Sequence, residues 1–183
     1  MSRQYWKEPI YAWNSNGFNT AVTGTTEAIL VPDYTMPPGF LGDQRILETI
    51  IYGQFSNIVT TPGTLTINCR LGGVAGTVIC TSGAISLSIV AQTNIIFRIH
   101  ALHRIAISGT GSGGTIYSIG LVELAVQLST NNNQPNFMGS GGAAFPSGVG
   151  IDTTIQQAMT VSAKFSLTGN TISAMSYILY AVN

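Results

Sequence analysis

The sequence predicts an all-β fold: an antiparallel, jelly-roll-like β-sandwich of about eight strands. Apolar and polar residues alternate with a period of two in several segments, glycine-rich turns separate these segments, and no segment has the 3.6-residue period of a long helix. An immunoglobulin-like sandwich is the alternative architecture. We divide the chain into an irregular, aromatic-rich N-terminal arm at residues 1–23 and a single sandwich domain at residues 24–183.

The clearest strand is predicted at residues 64–71, where four apolar positions alternate with four polar ones. Gly72 and Gly73 end it, and a return strand at 77–81 completes a hairpin. Further strands are predicted at residues 25–31, 45–55, 84–90, 95–107, 115–128, 157–167 and 171–182.

Turn and loop signals separate these strands. Prolines and a glycine predict a long loop at 32–39, and asparagines, prolines and glycines predict a second one at 131–150. A tight turn is expected at residues 169–170, and a bulge at Gly120. On the strand at 95–107, one face is expected to be apolar: Ile95, Phe97, Ile99, Ala101, Ile105 and Ile107.

Charge is scarce in this chain. Charged residues make up 8% of the 183 residues, against about 25% in a typical soluble domain. Seven basic residues balance seven acidic ones, whereas nucleic-acid binding needs a basic surplus, so we expect no nucleic-acid partner. No apolar run approaches the ~20 residues of a membrane helix, so we expect no membrane span. The composition predicts a surface of hydroxyls and amides, or one covered by other subunits.

The N-terminal residues are polar and lack the apolar core of a signal peptide, so we expect synthesis in a cytoplasm. Thiols are free by default in that compartment. We therefore interpret Cys69 and Cys80 as small, buried apolar residues. A disulfide across the loop between them stays open as an alternative.

The residue patterns nominate no catalytic, metal or cofactor site, so we expect no enzyme. The glycine-rich segment 109–114 lacks the lysine of a phosphate-binding loop and is interpreted as a hairpin turn. His100 and His103 are three apart in a strand, so they point to opposite faces and cannot easily share a metal. We expect Glu48 and Glu123 to face solvent or pair with an arginine, the alternative being a buried acid with a raised pKa.

Two groups of residues are candidates for an interaction surface. Each aromatic ring in the arm can bury about 150–250 Å², so we expect the arm to pack on the domain or on a neighbouring subunit. Basic side chains on the strand at 95–107 form a polar stripe that suits a contact between subunits or a ligand. The candidates are Tyr5, Trp6, Tyr11, Trp13 and Phe18 in the arm, and Arg98, His100 and Arg104 on the strand.

Four features of the chain carry a resemblance to a known class of protein. They are strands rich in Thr, Ser, Gly and Asn, the long strand within 94–108, the glycine-rich hairpin that follows Ile107, and a C-terminus at 175–183 that ends inside a strand. In these features the chain resembles jelly-roll virion proteins of tailed bacteriophages, of the capsid cement or decoration type and the head-fibre type.

That resemblance implies a homotrimer, or another cyclic oligomer, bound to the major capsid protein on the surface of a phage head. It implies assembly in the host cytoplasm, a stabilising role in the virion, and no cofactor. The alternative function is a glycan- or receptor-binding module of a fibre or spike, with Trp6 and Trp13 as a stacking platform. A cupin-type enzyme would need clustered His and Glu, and the chain has two His.

Overall fold

A computed structural model describes residues 6–58, 60–125, 136–140 and 147–182. Within these ranges the chain forms thirteen strands and no helix, which confirms the predicted all-β class. The strands are β1 (Lys7–Asn14), β2 (Ala28–Ile29), β3 (Tyr34–Met36), β4 (Ile46–Asn57), β5 (Thr64–Leu71), β6 (Thr77–Thr81), β7 (Ile85–Ser86), β8 (Gln92–Ile107), β9 (Gly114–Leu124), β10 (Asn136–Gly139), β11 (Val149–Ile151), β12 (Gln157–Phe165) and β13 (Thr171–Val182).

The strands form one antiparallel sheet that curls into two layers, the sandwich that the sequence predicts. Their order is β1-β13-β4-β8-β9-β10-β6-β5-β12-β2, with β11 on β9, β3 on β12 and β7 on β5. The link between β10 and β6 is a single residue pair, Gly139 with Thr81. We call β1-β13-β4-β8-β9 the larger layer, and β6-β5-β12 with β2, β3 and β7 the smaller layer.

The hydrophobic core lies between the two layers. Phe55 in β4 and Phe165 in β12 are 2% and 1% exposed, and their ring centroids are 6.3 Å apart. Where the free edges of the layers meet, Tyr11 in β1 stacks on Tyr34 in β3 with centroids 5.2 Å apart. The curled sheet is therefore closed at this side by aromatic packing rather than by a ladder of backbone hydrogen bonds.

Residues 6–23 follow the β13 edge of the larger layer. Lys7–Asn14 pair with β13 as an edge strand, interrupted by an irregularity between Pro9 and Tyr11. Val22 forms an isolated bridge to Ile172 of the same strand. Residues 7–14 of the predicted arm are thus an edge strand of the sandwich.

The structure places the bulge elsewhere than at Gly120, so that prediction is wrong. Gly120 pairs in register with Ala101, and a Cβ at position 120 would lie 2.7 Å from the carbonyl oxygen of His100. Glycine is needed there because the backbones approach closely. The irregularity of β8 lies between Ile105 and Ile107, which reverses the alternation, so Ile107 is 56% exposed instead of sharing the buried face.

Short strands occupy segments that the sequence predicts to be loops. Tyr34–Met36 lie in the predicted loop at 32–39 and pair with β12, and Asn136–Gly139 lie in the predicted loop at 131–150 and pair with β9. Residues 131–135 and 141–146 of that loop lie outside the described residues. The predicted strands at 25–31 and 84–90 shorten to β2 and β7. The predicted strand at 115–128 ends at Leu124 within the described part of the chain.

Candidate functional site

The outward-facing surface of the larger layer is the candidate site, and we call it the outer face. Along β8 the side chains at 98, 100, 102 and 104 point outward, while those at 97, 99, 101, 103 and 105 are buried. Neighbouring strands continue this alternation in register, so the outward residues form rows across the layer. The apolar and aromatic members of the outer face are Ile178, Tyr180, Val182, Ile46, Ile50, Tyr52, Ile96, Leu102, Tyr117, Ile119, Leu121 and, on the adjoining β10, Phe137.

Large apolar side chains lie exposed on β8, β9 and the adjoining β10. Leu102 and Ile119 pair directly across β8 and β9 and are 39% and 45% exposed. Phe137, at the β10 side, is 69% exposed. Single exposed apolar residues are ordinary, but a contiguous set rimmed by polar residues is typical of an interaction site.

One charge cluster lies at the β1 side of the outer face. Nζ of Lys7 is 2.5 Å from Oε2 of Glu48 and 4.2 Å from the ring centroid of Tyr180. Nε2 of His100 lies 2.8 Å from Oε1 of Glu48. Burial acts to raise the pKa of Glu48, but hydrogen bonds from Lys7 and His100 outweigh it and hold that pKa below its usual value. The alternative of a raised pKa for Glu48 is therefore wrong.

A second ion pair lies at the β9 side of the outer face. Arg98 and Glu123 are direct partners in the β8–β9 ladder, with Nη1 and Oε2 3.4 Å apart, which confirms the expected pairing of Glu123 with an arginine. The Arg98 guanidinium lies 5.9 Å from the centroid of the Tyr52 ring. At the opposite end of β8, Nη2 of Arg104 donates to Oε1 of Gln44 at 2.5 Å. The two carboxylates of the outer face are thus paired with basic side chains, whereas Arg104 keeps its charge.

His103 points away from His100 and into the core, as the strand spacing predicts. It is 0% exposed, and its Nδ1 lies 2.8 Å from Oγ of Ser118. Burial lowers the pKa of His103 to about 3, so the ring is neutral at pH 7. Within the described residues no group of three or more His, Cys, Asp or Glu could hold a metal ion.

The aromatic candidates of the arm do not form one surface. Trp6 is 68% exposed and Phe18 is 45% exposed. Tyr11 and Trp13 instead pack against the hydrophobic core, and Tyr11 meets the ring of Tyr177 edge-on at 5.5 Å. Tyr5 lies outside the described residues. Trp6 and Trp13 thus lie in different environments, since Trp13 is partly buried against the core.

The outer surface of the smaller layer is mainly polar, although Ile29 is 45% exposed on it. Glu27 accepts hydrogen bonds from Nε and Nη2 of Arg70 at 2.7 and 2.8 Å, from Nδ2 of Asn68 at 3.0 Å, and from Oγ of Ser162. Burial acts to raise the pKa of Glu27, but the hydrogen bonds and charge of Arg70, with Asn68 and Ser162, lower it to about 2. This network ties the segment before β2 to β5 and β12.

The two cysteines lie opposite each other on β5 and β6. Cys69 and Cys80 are cross-strand partners, and both are buried free thiols. Burial raises the pKa of Cys80 to about 12 and that of Cys69 well above its usual value. Both side chains therefore act as small apolar groups, as predicted.

Sequence reasoning found the basic stripe of β8 but missed its apolar surroundings. Arg98, His100 and Arg104 do share the outer face, as expected. The neighbouring strands β4 and β9 contribute Ile50 and Ile119 to the outer face. Whether such a residue is exposed depends on which face of its strand packs against the core. The uninterrupted apolar run at 50–52 was the available signal, because a strand apolar on both faces needs a partner on both faces.

No protein family and no curated protein sequence matches this chain. Among solved structures, the one titled "Structure of infectious bursal disease virus Gt strain" aligns with 98% of this chain at 11% sequence identity and a TM-score of 0.20. This chain spans 42% of the length of that chain. A TM-score of 0.20 does not establish a shared fold, so the proposals that follow rest on the surfaces of this chain. Among the described residues, no helix is long and apolar enough to cross a bilayer.

Proposed function

We propose that this chain is a structural virion protein and not an enzyme, and that it works by protein–protein contact through the outer face. The observation that carries the proposal is the contrast between the two surfaces of the sandwich. The outer face exposes Leu102, Ile119 and Phe137 together, whereas the smaller layer presents the Glu27–Arg70 network with Ile29 as an exposed apolar neighbour. An exposed apolar face on an otherwise weakly charged chain costs free energy in water and is stabilised when a partner covers it.

The more specific form of the proposal is a capsid cement or decoration protein of a tailed-bacteriophage head. In this role the chain forms a homotrimer, binds the major capsid protein and lies on the capsid surface after assembly in the host cytoplasm. The low charge and the phage-like sequence features support it. A protein that binds only the assembled lattice stabilises that lattice by mass action.

A glycan- or receptor-binding module is the second candidate. The 68% exposure of Trp6 favours it, because an exposed ring can stack on a sugar. The packing of Trp13 against the core leaves Trp6 without the expected second ring. Under this alternative, a Trp6→Ala change abolishes binding on a glycan array, while a Phe18→Ala change at another exposed aromatic leaves it intact.

The experiment that tests the virion role is detection of the chain in purified particles. Virus particles whose genome encodes this chain are banded on a density gradient, and the fractions are probed with an antibody against the chain. We expect the chain to band with the major capsid protein at a fixed ratio that survives a wash in high salt, because an apolar contact is insensitive to screening. A chain found only in the soluble fractions would refute the proposal.

A further inference from the structure

We infer that a second copy of this chain covers the outer face. The inference rests on the proposed function and adds the identity of the partner at this face. Three observations lead to it: the size of the face, the internal pairing of its carboxylates, and the position of its apolar patch.

The outer face is large enough for a stable contact between copies. Its five strands, spaced about 4.8 Å apart, give a width of about 24 Å, and about nine residues of β4 or β8 at ~3.4 Å each give a length of about 30 Å. The product is about 700 Å² in projection. A standard interface buries about 800 Å² on each partner, so a copy of the face matches the area that a specific contact needs.

The charges of the outer face suit a copy of the same face. The carboxylate of Glu48 forms an ion pair with Lys7 and a hydrogen bond with His100, and that of Glu123 forms an ion pair with Arg98. Arg104 donates to the neutral amide of Gln44 and is the one guanidinium of this face without a carboxylate partner among the described residues. A highly charged partner would therefore find little charge to complement, whereas a copy brings the same weakly charged pattern. The zero net formal charge of the whole chain favours self-association in the same way.

The most exposed apolar residues near Leu102 form one patch across β8, β9 and β10, and ion pairs border it, because Glu48 in the middle strand β4 adjoins Leu102 directly. Leu102 and Ile119 are neighbours in one row, and Glu48 continues that row towards β13. Arg98 and Glu123 pair two rows further along the strands. An apolar patch with a polar border is the usual arrangement of an interface whose central side chains supply most of the binding free energy.

The test measures the mass of the full-length protein in solution by light scattering over a range of concentrations. We compare wild type with Leu102→Glu and Ile119→Glu, which place a carboxylate in the apolar patch of the outer face. The matched control is Ile29→Glu in β2, because Ile29 and Ile119 are both 45% exposed. Leu167→Glu, at 44% exposure, is a second control outside the face. Circular dichroism and thermal unfolding establish that each variant is folded.

We expect wild type and both controls to form the same oligomer, and each outer-face variant to dissociate at least about 100-fold more readily. Ile119→Val, which keeps an apolar side chain, should retain the oligomer. A monomeric wild type would overturn the inference, as would outer-face variants that stay folded and associate as wild type does. If the chain is present in particles but monomeric in solution, the virion role stands and this inference fails. If it forms an oligomer through this face but is absent from particles, the virion role fails and this inference stands.

Discussion

His103 and Ser118 face each other across β8 and β9 inside the core, with Nδ1 and Oγ 2.8 Å apart. This pair makes the fold sensitive to acid. The pKa of His103 is about 3 in the folded chain, against 6.5 for an ordinary histidine, so the unfolded chain binds a proton that the folded chain rejects. The stabilisation that comes from keeping His103 neutral is fully present above pH 6.5, and it is lost as the pH falls towards 3.

The first prediction follows from this difference. Between pH 7 and pH 5, the free energy of unfolding should fall by about 2 kcal/mol through His103 alone, because only the unfolded state gains the proton. Urea unfolding at the two pH values measures the change. His103→Gln should flatten the pH dependence over this window even though it lowers stability overall. His100→Gln, on the outer face, should leave most of the slope intact, and an unchanged slope in His103→Gln would contradict the assignment.

The second prediction concerns the network around Glu27. Glu27→Gln removes the negative charge that Arg70 binds through two nitrogens, and both side chains are largely buried, so we expect a loss of about 2 kcal/mol. The matched control is Glu123→Gln, which removes a carboxylate from the exposed pair with Arg98 and should cost about 0–1 kcal/mol. Urea unfolding at pH 7 compares the two variants, and equal losses would argue against a special role for Glu27.

The lowered pKa of Glu27 predicts a second pH range, below that of His103, in which the free energy of unfolding changes. The pKa of Glu27 is lowered to about 2 from 4.5, so its stabilisation is present above pH 4.5 and is lost as the pH falls towards 2. Wild type should lose stability more steeply in this window than Glu27→Gln does. Parallel curves for the two proteins would show that Glu27 does not titrate as described.

The third prediction concerns the reactivity of the thiols. Cys69 and Cys80 are buried, and burial raises both pKa values, so neither supplies a thiolate at neutral pH. A maleimide reagent at pH 7 should label neither thiol in the folded protein and both after unfolding in guanidinium. Mass spectrometry counts the labels, and rapid labelling of the native protein would contradict the burial of the pair.

The fourth prediction compares two phenylalanines in different environments. Phe165→Ala should cost about 3–5 kcal/mol, because Phe165 is 1% exposed and meets Phe55 across the core. Phe137→Ala should change the stability of the single chain by no more than about 0.5 kcal/mol, because Phe137 is 69% exposed. Denaturation at a concentration where the protein is dissociated separates this effect from any loss of association.

The strands with the clearest alternation could be predicted from the sequence because the signal is local. Three strands have the predicted bounds: Thr64–Leu71, Thr77–Thr81 and Thr171–Val182. Glycine-containing turns follow the first two strands and precede the third. Tyr34–Met36 and Asn136–Gly139 were missed because they become strands by pairing with β12 and β9, which lie far away in sequence. Local composition carries little information about such distant partners.

The outer face could be predicted only in part, for the same reason. Alternation assigns residues to two faces of a strand, so the stripe of Arg98, His100 and Arg104 was visible. Alternation does not tell which of two apolar faces the rest of the chain covers. Ile50 and Ile51, for example, are adjacent in β4 yet lie on opposite sides of the layer. The hydrogen bond between His103 and Ser118 also depends on the β8–β9 register, which the sequence does not reveal.

The mass of wild-type protein in solution tests the central claim most directly. If two copies of the chain cover each other's outer faces, light scattering will give about 38.6 kDa, which is twice 19.3 kDa, and this mass will persist on dilution. A mass of 19.3 kDa at every concentration, from a chain whose circular dichroism and cooperative unfolding show that it is folded, would contradict the claim.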